Sequence, residues 1–168
     1  YNGVGENNVI NNFILSFCQD NNNNIWIGTD GAGLRYWDRN KNTYRQYIHN
    51  AADKNSITSN FITGILRDSD NNLWVSTWFG GINRLKGNSQ SFEHYKCFNP
   101  RTGQDEYNTW LMYEDRDKKL WASTTNNGTL YIYNKEKNNF EIFDEAVRNI
   151  QCLAVDKGND LWGGNYTS

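Results

Sequence analysis

The sequence predicts an all-β fold: four-stranded antiparallel β-propeller blades, about three and a half of them, cut from a larger propeller. Three observations predict it. Trp26, Trp74, Trp121 and Trp162 recur at intervals of 48, 47 and 41 residues, which is the length of one blade. Each Trp follows an aliphatic residue (Ile25, Leu73, Leu120, Leu161) and stands six residues after an Asp (Asp20, Asp68, Asp115, Asp156). An aromatic pair then closes each complete unit: Tyr44 and Tyr47, Phe92 and Tyr95, Phe140 and Phe143.

The second unit justifies the elements in order. Phe61 to Leu66 is a short apolar run that reads as a first strand, and Ser69-Asp70-Asn71-Asn72 is turn chemistry. Leu73 to Thr77 reads as a second strand, Gly80-Gly81 as a turn, and Ile82 to Leu85 as a third strand. Lys86 to Ser89 turns again, and Ser91 to Tyr95 alternates as a fourth strand. Gly33-Leu34 and Gly128-Thr129-Leu130 start the third strand in the other units. The whole chain, 1–168, is thus expected to be a partial β-propeller, with blades over approximately 8–47, 60–95 and 108–143 and a half blade over 149–168. Tyr1 matches Tyr47, Tyr95 and Phe143, as if it ended an earlier blade. Bulky residues on both sides of the first strands, as in Phe13-Ile14-Leu15 with Phe17-Cys18, predict burial of both faces between blades.

Composition narrows the function classes. The chain has 168 residues and a net charge of -2, without a basic stripe, so nucleic-acid contact has no electrostatic support. No apolar run approaches the roughly 18 residues of a membrane helix. Cys18, Cys97 and Cys152 form no CxxC pair and do not cluster with His49 or His94, so neither a metal site nor a cofactor is expected. Cys18 and Cys152 lie in apolar strand segments, where a free thiol is expected to be buried.

The phrase Ile62-x-x-Ile65-x-x-Asp68, with Ile25-Trp26-Ile27-Gly28-Thr29, Gly33-Leu34 and Phe92-x-x-Tyr95, resembles the two-component regulator propeller repeat. Ser76 and Ser123 replace the glycine of Gly28, and Gly163-Gly164-Asn165 lacks the threonine. The resemblance implies the periplasmic sensor region of a hybrid two-component histidine kinase of Bacteroidetes. It further implies recognition of an oligosaccharide, signalling across the membrane to control glycan-utilisation genes, and a homodimeric receptor. The other blades and a downstream sensor and kinase region would be its partners. The segment itself is then not an enzyme. A propeller-fold polysaccharide lyase or glycosidase is the competing class, and an assembly or dimerisation module without a ligand is the third.

Asp68-x-Asp70-x-Asn72 looks like the start of a calcium loop, but Lys118 and Lys119 stand at the matching place in the third unit. The repeated Asp residues are therefore expected to cap the turn by accepting backbone N–H bonds, and the repeated Trp residues to fill the inter-blade core. Residues that break the repeat are better site candidates. The turn between second and third strands reads Asp30-Gly31-Ala32 and Thr125-Asn126-Asn127, but Trp78-Phe79-Gly80 in the middle unit. Trp78 and Phe79, with Asp30, Asn126 and Asn127, make a candidate carbohydrate rim, since sugars stack C–H faces on rings and bond hydroxyls to amides and carboxylates. The alternative for the two rings is packing across the propeller mouth or against a neighbouring domain. Arg101 lies in the long polar connection 96–107 on the same face; this connection and 48–59 read as surface decoration. Trp110 replaces Leu15 and Thr63, either narrowing the central channel or filling a gap. As a rim residue outside the core, Trp78 is expected to tolerate Trp78→Ala with the fold nearly unchanged and ligand binding about tenfold weaker.

Overall fold

The computed structural model describes residues 13–86 and 89–165. The matching of Tyr1 to a blade end and the turn through Gly87 and Asn88 lie outside the described residues. The first blade comprises β1 (Ile14–Gln19), β2 (Ile25–Thr29), β3 (Leu34–Asp38) and β4 (Thr43–Tyr47), paired in that order. The second comprises β5 (Ile62–Arg67), β6 (Asn72–Thr77), β7 (Gly81–Lys86) and β8 (Phe92–Tyr95). A hairpin follows, β9 (Cys97–Asn99) with β10 (Gln104–Glu106). The third blade is β11 (Thr109–Glu114), β12 (Leu120–Thr124), β13 (Thr129–Asn134) and β14 (Asn139–Arg148). Two further strands, β15 (Ile150–Val155) and β16 (Leu161–Asn165), pair with each other. The innermost strands β1, β5, β11 and β15 lie side by side, as propeller blades do around an axis.

One turn recurs four times between first and second strands. The residue three after each Asp has a left-handed backbone: Asn23, Asn71, Lys118 and Asn159, with φ of 63°, 65°, 61° and 71°. Asn is one of the few residues that adopts this region at low cost, and eight described Asn residues do so. The Asp carboxylate holds the turn. Asp68 Oδ1 accepts from the N–H of Asp70 at 3.0 Å and of Asn72 at 2.8 Å. Asp20 Oδ1 accepts from the N–H groups of Asn22 and Asn24 in the same way. The expected capping role of Asp is what the geometry shows.

The second carboxylate oxygen takes the indole N–H of the repeated Trp in three of the four units. Trp74 Nε1 donates to Asp68 Oδ2 at 2.6 Å, Trp121 Nε1 to Asp115 Oδ2 at 2.8 Å, and Trp162 Nε1 to Asp156 Oδ2 at 2.9 Å. In the first blade, Asp20 Oδ2 accepts from Asn24 Nδ2 and the Tyr36 hydroxyl instead. The six-residue interval from Asp to Trp is therefore the length of a turn plus the step that brings the indole N–H back to its carboxylate.

Trp26 and Trp74 are buried in the inter-blade core, and Trp121 is buried against Phe143 of its own blade, edge-on at 4.9 Å. Between the first two blades, Trp26 packs with Leu34, Ile57, Ile62, Val75, Leu85 and Phe92. Between the second and third, Trp74 packs with Tyr95, Cys97, Met112, Leu120, Tyr131 and Phe140. Arg84 crosses that second seam. It lies over the rings of Trp74 and Tyr95 at 5.1 and 5.0 Å, pairs with Glu93, and donates to the Tyr133 hydroxyl at 2.9 Å.

Several sequence expectations need correction. Trp162 is 64% exposed, because no described residue packs over the outer face of β16. Phe13, Ile14, Leu15 and Phe17 are likewise exposed, so β1 is not buried on both faces. Of the cysteines, Cys97 is the buried one; Cys18 is half-buried and Cys152 exposed. The connection 96–107 is not surface decoration. Its Cys97 and Asn99 point inward in alternation with exposed Phe98, and β9 pairs in parallel with β14 at Cys97 and Phe140. The third sheet thus has six strands, β10-β9-β14-β13-β12-β11, and its fourth propeller strand runs on to Arg148. In the connection 48–59, Ile57 is fully buried in the inter-blade core.

Trp74→Ala is expected to destabilise the fold by about 3–5 kcal/mol, as large core truncations do, measured by denaturant unfolding. Lys118 occupies the left-handed turn position that Asn fills elsewhere. Lys118→Asn is expected to raise stability by about 0.5–1 kcal/mol in the same assay; a loss would mean that the lysine makes a stabilising contact. Acid should loosen the turns. Partial burial pushes the Asp20 carboxyl up, but bonds from Asn24, Asn22 and Tyr36 outweigh it and hold it below the ordinary range; the bonds from Trp162, Asp160 and Gly158 lower Asp156. Both groups therefore contribute stability that is complete above about pH 4. It is lost as pH falls through their depressed values, which melting curves from pH 6 to 2.5 will follow.

Candidate ligand-binding site

The turns between second and third strands share an edge of the sheets with the blade-to-blade connections. Trp78 N–H donates to Phe61 O, Gly81 N–H to Tyr107 O, and Thr125 N–H to Asn108 O. Threonine hydroxyls brace these turns: Thr29 Oγ1 donates to Gly33 O at 2.7 Å and Thr77 Oγ1 to Gly81 O at 2.8 Å. Glycine opens the third strand for a steric reason. A Cβ on Gly33 or Gly81, both at positive φ, would lie 2.3 or 2.8 Å from the carbonyl oxygen of Tyr47 or Tyr95.

The middle residue of each turn is left-handed. It is Gly31 in the first blade (φ 96°) and Phe79 in the second (φ 71°); the third blade's turn is one residue longer and has two, Asn126 (φ 62°) and Asn127 (φ 67°). Gly and Asn suit this region; a bulky aromatic there is an outlier. The Phe79 ring is nevertheless 64% exposed, so core packing does not compensate for the strain. Its N–H donates to Asn108 Oδ1 at 3.2 Å, and the ring meets Phe61 edge-on at 5.9 Å.

Phe79 forms one wall of a shallow cleft of about 340 Å³ between the second and third blades. Tyr107, Asn108 and Asn126 line it, with Asp105, Glu106 and Thr125. Tyr107 is half-exposed and its hydroxyl donates to Asp105 Oδ2 at 3.0 Å. Lys96 Nζ bonds the same oxygen at 2.8 Å, and these two donors hold the Asp105 carboxyl below the ordinary carboxylate range. Glu106 is saturated: it accepts from Asn99 Nδ2 at 2.7 Å, from the N–H and hydroxyl of Thr129 at 3.2 Å each, and from the Thr124 hydroxyl. Thr125 is buried and its hydroxyl has no hydrogen-bond partner among the described residues. A polar group left so costs about 1–3 kcal/mol.

The structure brings together two of the rim residues expected from sequence, Phe79 and Asn126. Trp78 takes the packing alternative. It is half-buried, and its ring meets Trp110 at 6.1 Å and Phe79 at 5.8 Å. Trp110 is the extra residue of a β-bulge that recurs on every first strand, where Leu15, Thr63 and Gln151 stand in the other copies; a bulge re-aims a side chain, here toward the mouth. Asp30 is exposed, and its backbone pairs with Phe61, one ring away from Phe79. Asn127 faces the next connection, donating its N–H to Asn149 Oδ1. Arg101 is exposed in the β9–β10 turn and does not line the cleft. Sequence reasoning missed Tyr107 and Asn108. A signal existed: Asn108 and Asn149 each immediately precede an inner strand, and each accepts a turn N–H of the preceding blade. His49 and His94 sit on the outer side, bonded to the carbonyls of Ile57 and Ser56.

Residues 8–31 and 56–79 match the two component regulator propeller family. No curated protein matches the chain. Among solved structures, the chain is similar to the extracellular domain of the hybrid two component system BT3049 from B. thetaiotaomicron, at 21% identity and a TM-score of 0.72. The alignment covers 98% of this chain and 29% of that one. The extracellular domain of the hybrid two component system BT4673 from the same organism gives 22% identity and a TM-score of 0.75, over 92% of this chain and 22% of that one. Virginiamycin B lyase from Staphylococcus aureus gives 12% identity and a TM-score of 0.67, over 89% and 48%. The chain thus spans less than a third of the two sensor structures, and the likeness at these identities is one of fold: β-propeller blades.

Because Trp78 packs on Trp110, Trp78→Ala is expected to lower stability by about 1–3 kcal/mol rather than leave the fold unchanged. Thermal melting checks this, and an unchanged midpoint would return Trp78 to the list of ligand-facing residues.

Proposed function

We propose that the chain is an extracytoplasmic, ligand-sensing segment of a hybrid two-component sensor. It reads an oligosaccharide in the cleft between the second and third blades. The observation that carries this reading is Phe79. A position that other blades give to Gly or Asn holds an exposed aromatic at a strained backbone angle. Strain that the fold itself does not need is the mark of a residue kept for another purpose. A sugar ring stacks on Phe79 or Tyr107, and the side-chain amides of Asn108 and Asn126 bond its hydroxyls. Turning the Thr125 hydroxyl toward the ligand would supply its missing bond. The family of the repeats and the likeness to extracellular sensor domains support the placement outside the cytoplasm. In the complete protein, ligand binding acts through a periplasmic homodimer on a kinase outside these residues to control glycan-utilisation genes.

Phe79→Asn separates site from scaffold. It relieves the left-handed strain, so the melting temperature is expected to rise by about 2–4 °C, roughly 1 kcal/mol. Loss of the stacking plate is expected to weaken glycan binding about tenfold, or roughly 1.4 kcal/mol. Calorimetric titration against a panel of oligosaccharides, with melting curves alongside, checks both. Unchanged affinity for a glycan that does bind would move the site elsewhere, and turnover of that glycan would favour a lyase.

A further inference from the structure

We infer that the cleft accepts uncharged saccharides and rejects anionic ones such as uronates and sulfated sugars; this rests on the function proposed above. Two carboxylates, Asp105 and Glu106, line the cleft, and none of its described lining residues is Lys or Arg. Neither carboxylate is free to turn away. Glu106 is fixed by Asn99, Thr124 and Thr129, and Asp105 by Lys96 and Tyr107. The Lys96 ammonium is already committed to Asp105, so the cleft keeps a net negative charge. Apart from these carboxylates, the groups that meet a ligand are neutral: two aromatic faces, the Thr125 hydroxyl, the Asn126 side chain, and the Asn108 amide nitrogen, whose oxygen is taken by Phe79 N–H. An incoming carboxylate or sulfate would lose its water against fixed like charges, whereas a hydroxyl would not.

The test is titration of the intact protein with two uncharged probes, cellohexaose and mannohexaose, and two anionic ones, hexagalacturonate and a heparin hexasaccharide. The expected result is that an uncharged probe binds in a Phe79-dependent way. The anionic probes should bind at least about tenfold more weakly at 50 mM salt, with a gap that narrows at 500 mM as the charges are screened. Asp105→Asn should narrow the gap about threefold at low salt. If that variant fails to fold, the salt dependence of the wild type carries the test. An anionic probe that binds as tightly as the uncharged ones, and is lost in Phe79→Asn, would overturn this inference and leave the sensing cleft standing. Binding by no probe, or binding insensitive to Phe79→Asn, would overturn the cleft reading and this inference with it.

Discussion

In each unit an aspartate ties the first turn of the blade, and in three of the four it also takes an indole N–H, that of buried Trp74 and Trp121 and of exposed Trp162. One oxygen of the side chain closes the turn between first and second strands, and in those three units the other takes the indole N–H of a Trp six residues later. A Trp ring in an inter-blade core contributes a large apolar surface, but its N–H is costly to bury without a partner. The aspartate supplies that partner and at the same time fixes where the second strand begins. The register of the rest of the blade follows, because second, third and fourth strands pair in sequence from that anchor. In the first blade, where Tyr36 stands opposite Trp26 in β3, the tyrosine hydroxyl bonds the aspartate instead. The bond to the carboxylate is kept while the donor changes.

A scaffold built this way leaves one side free to vary. The Asp turns and the Trp core are locked by hydrogen bonds and packing, whereas the turns between second and third strands need only a left-handed residue and a threonine brace. Blade one meets that need with Gly31 and blade three with Asn126. Blade two departs from it with Phe79, and its neighbour Trp78 packs on Trp110 from the adjacent bulge. The inserted hairpin of β9 and β10 contributes from the other side, bringing Tyr107 and two carboxylates to the same cleft. The cleft is thus assembled from the places where the repeat is broken.

The parts of the fold legible in the sequence are those enforced by repetition. The Trp and the Asp six residues before it report a local rule that holds in all four copies, whereas the glycine at the start of the third strand holds in two, Gly33 and Gly81, and Thr129 takes its place in the third. Strand limits in the second blade fell within a residue of the expected ones for that reason. The β9–β10 hairpin was not legible, because it occurs once and its inward Cys97 and Asn99 are too few to make a pattern. The fate of Trp78 was not legible either. Its burial depends on Trp110, which lies 32 residues away and meets it only through a bulge. Phe79 was found as an anomaly of residue type, but the left-handed angle that gives the anomaly its meaning is a property of the turn. Aligning the three turns residue by residue would have exposed it, since the matching residues are Gly31 and Asn126.

We propose that ligand is read between the second and third blades, on the side of the turns between second and third strands. Amide hydrogen exchange of the intact protein, with and without a bound oligosaccharide, tests it most directly, because the method reports position without altering a residue. The account predicts that protection on binding concentrates in residues 78–80, 105–108 and 125–127, leaving the Asp turns at 20–24 and 68–72 unchanged. Protection confined to the Asp turns, or spread over the exposed faces of β1 and β16, would contradict it.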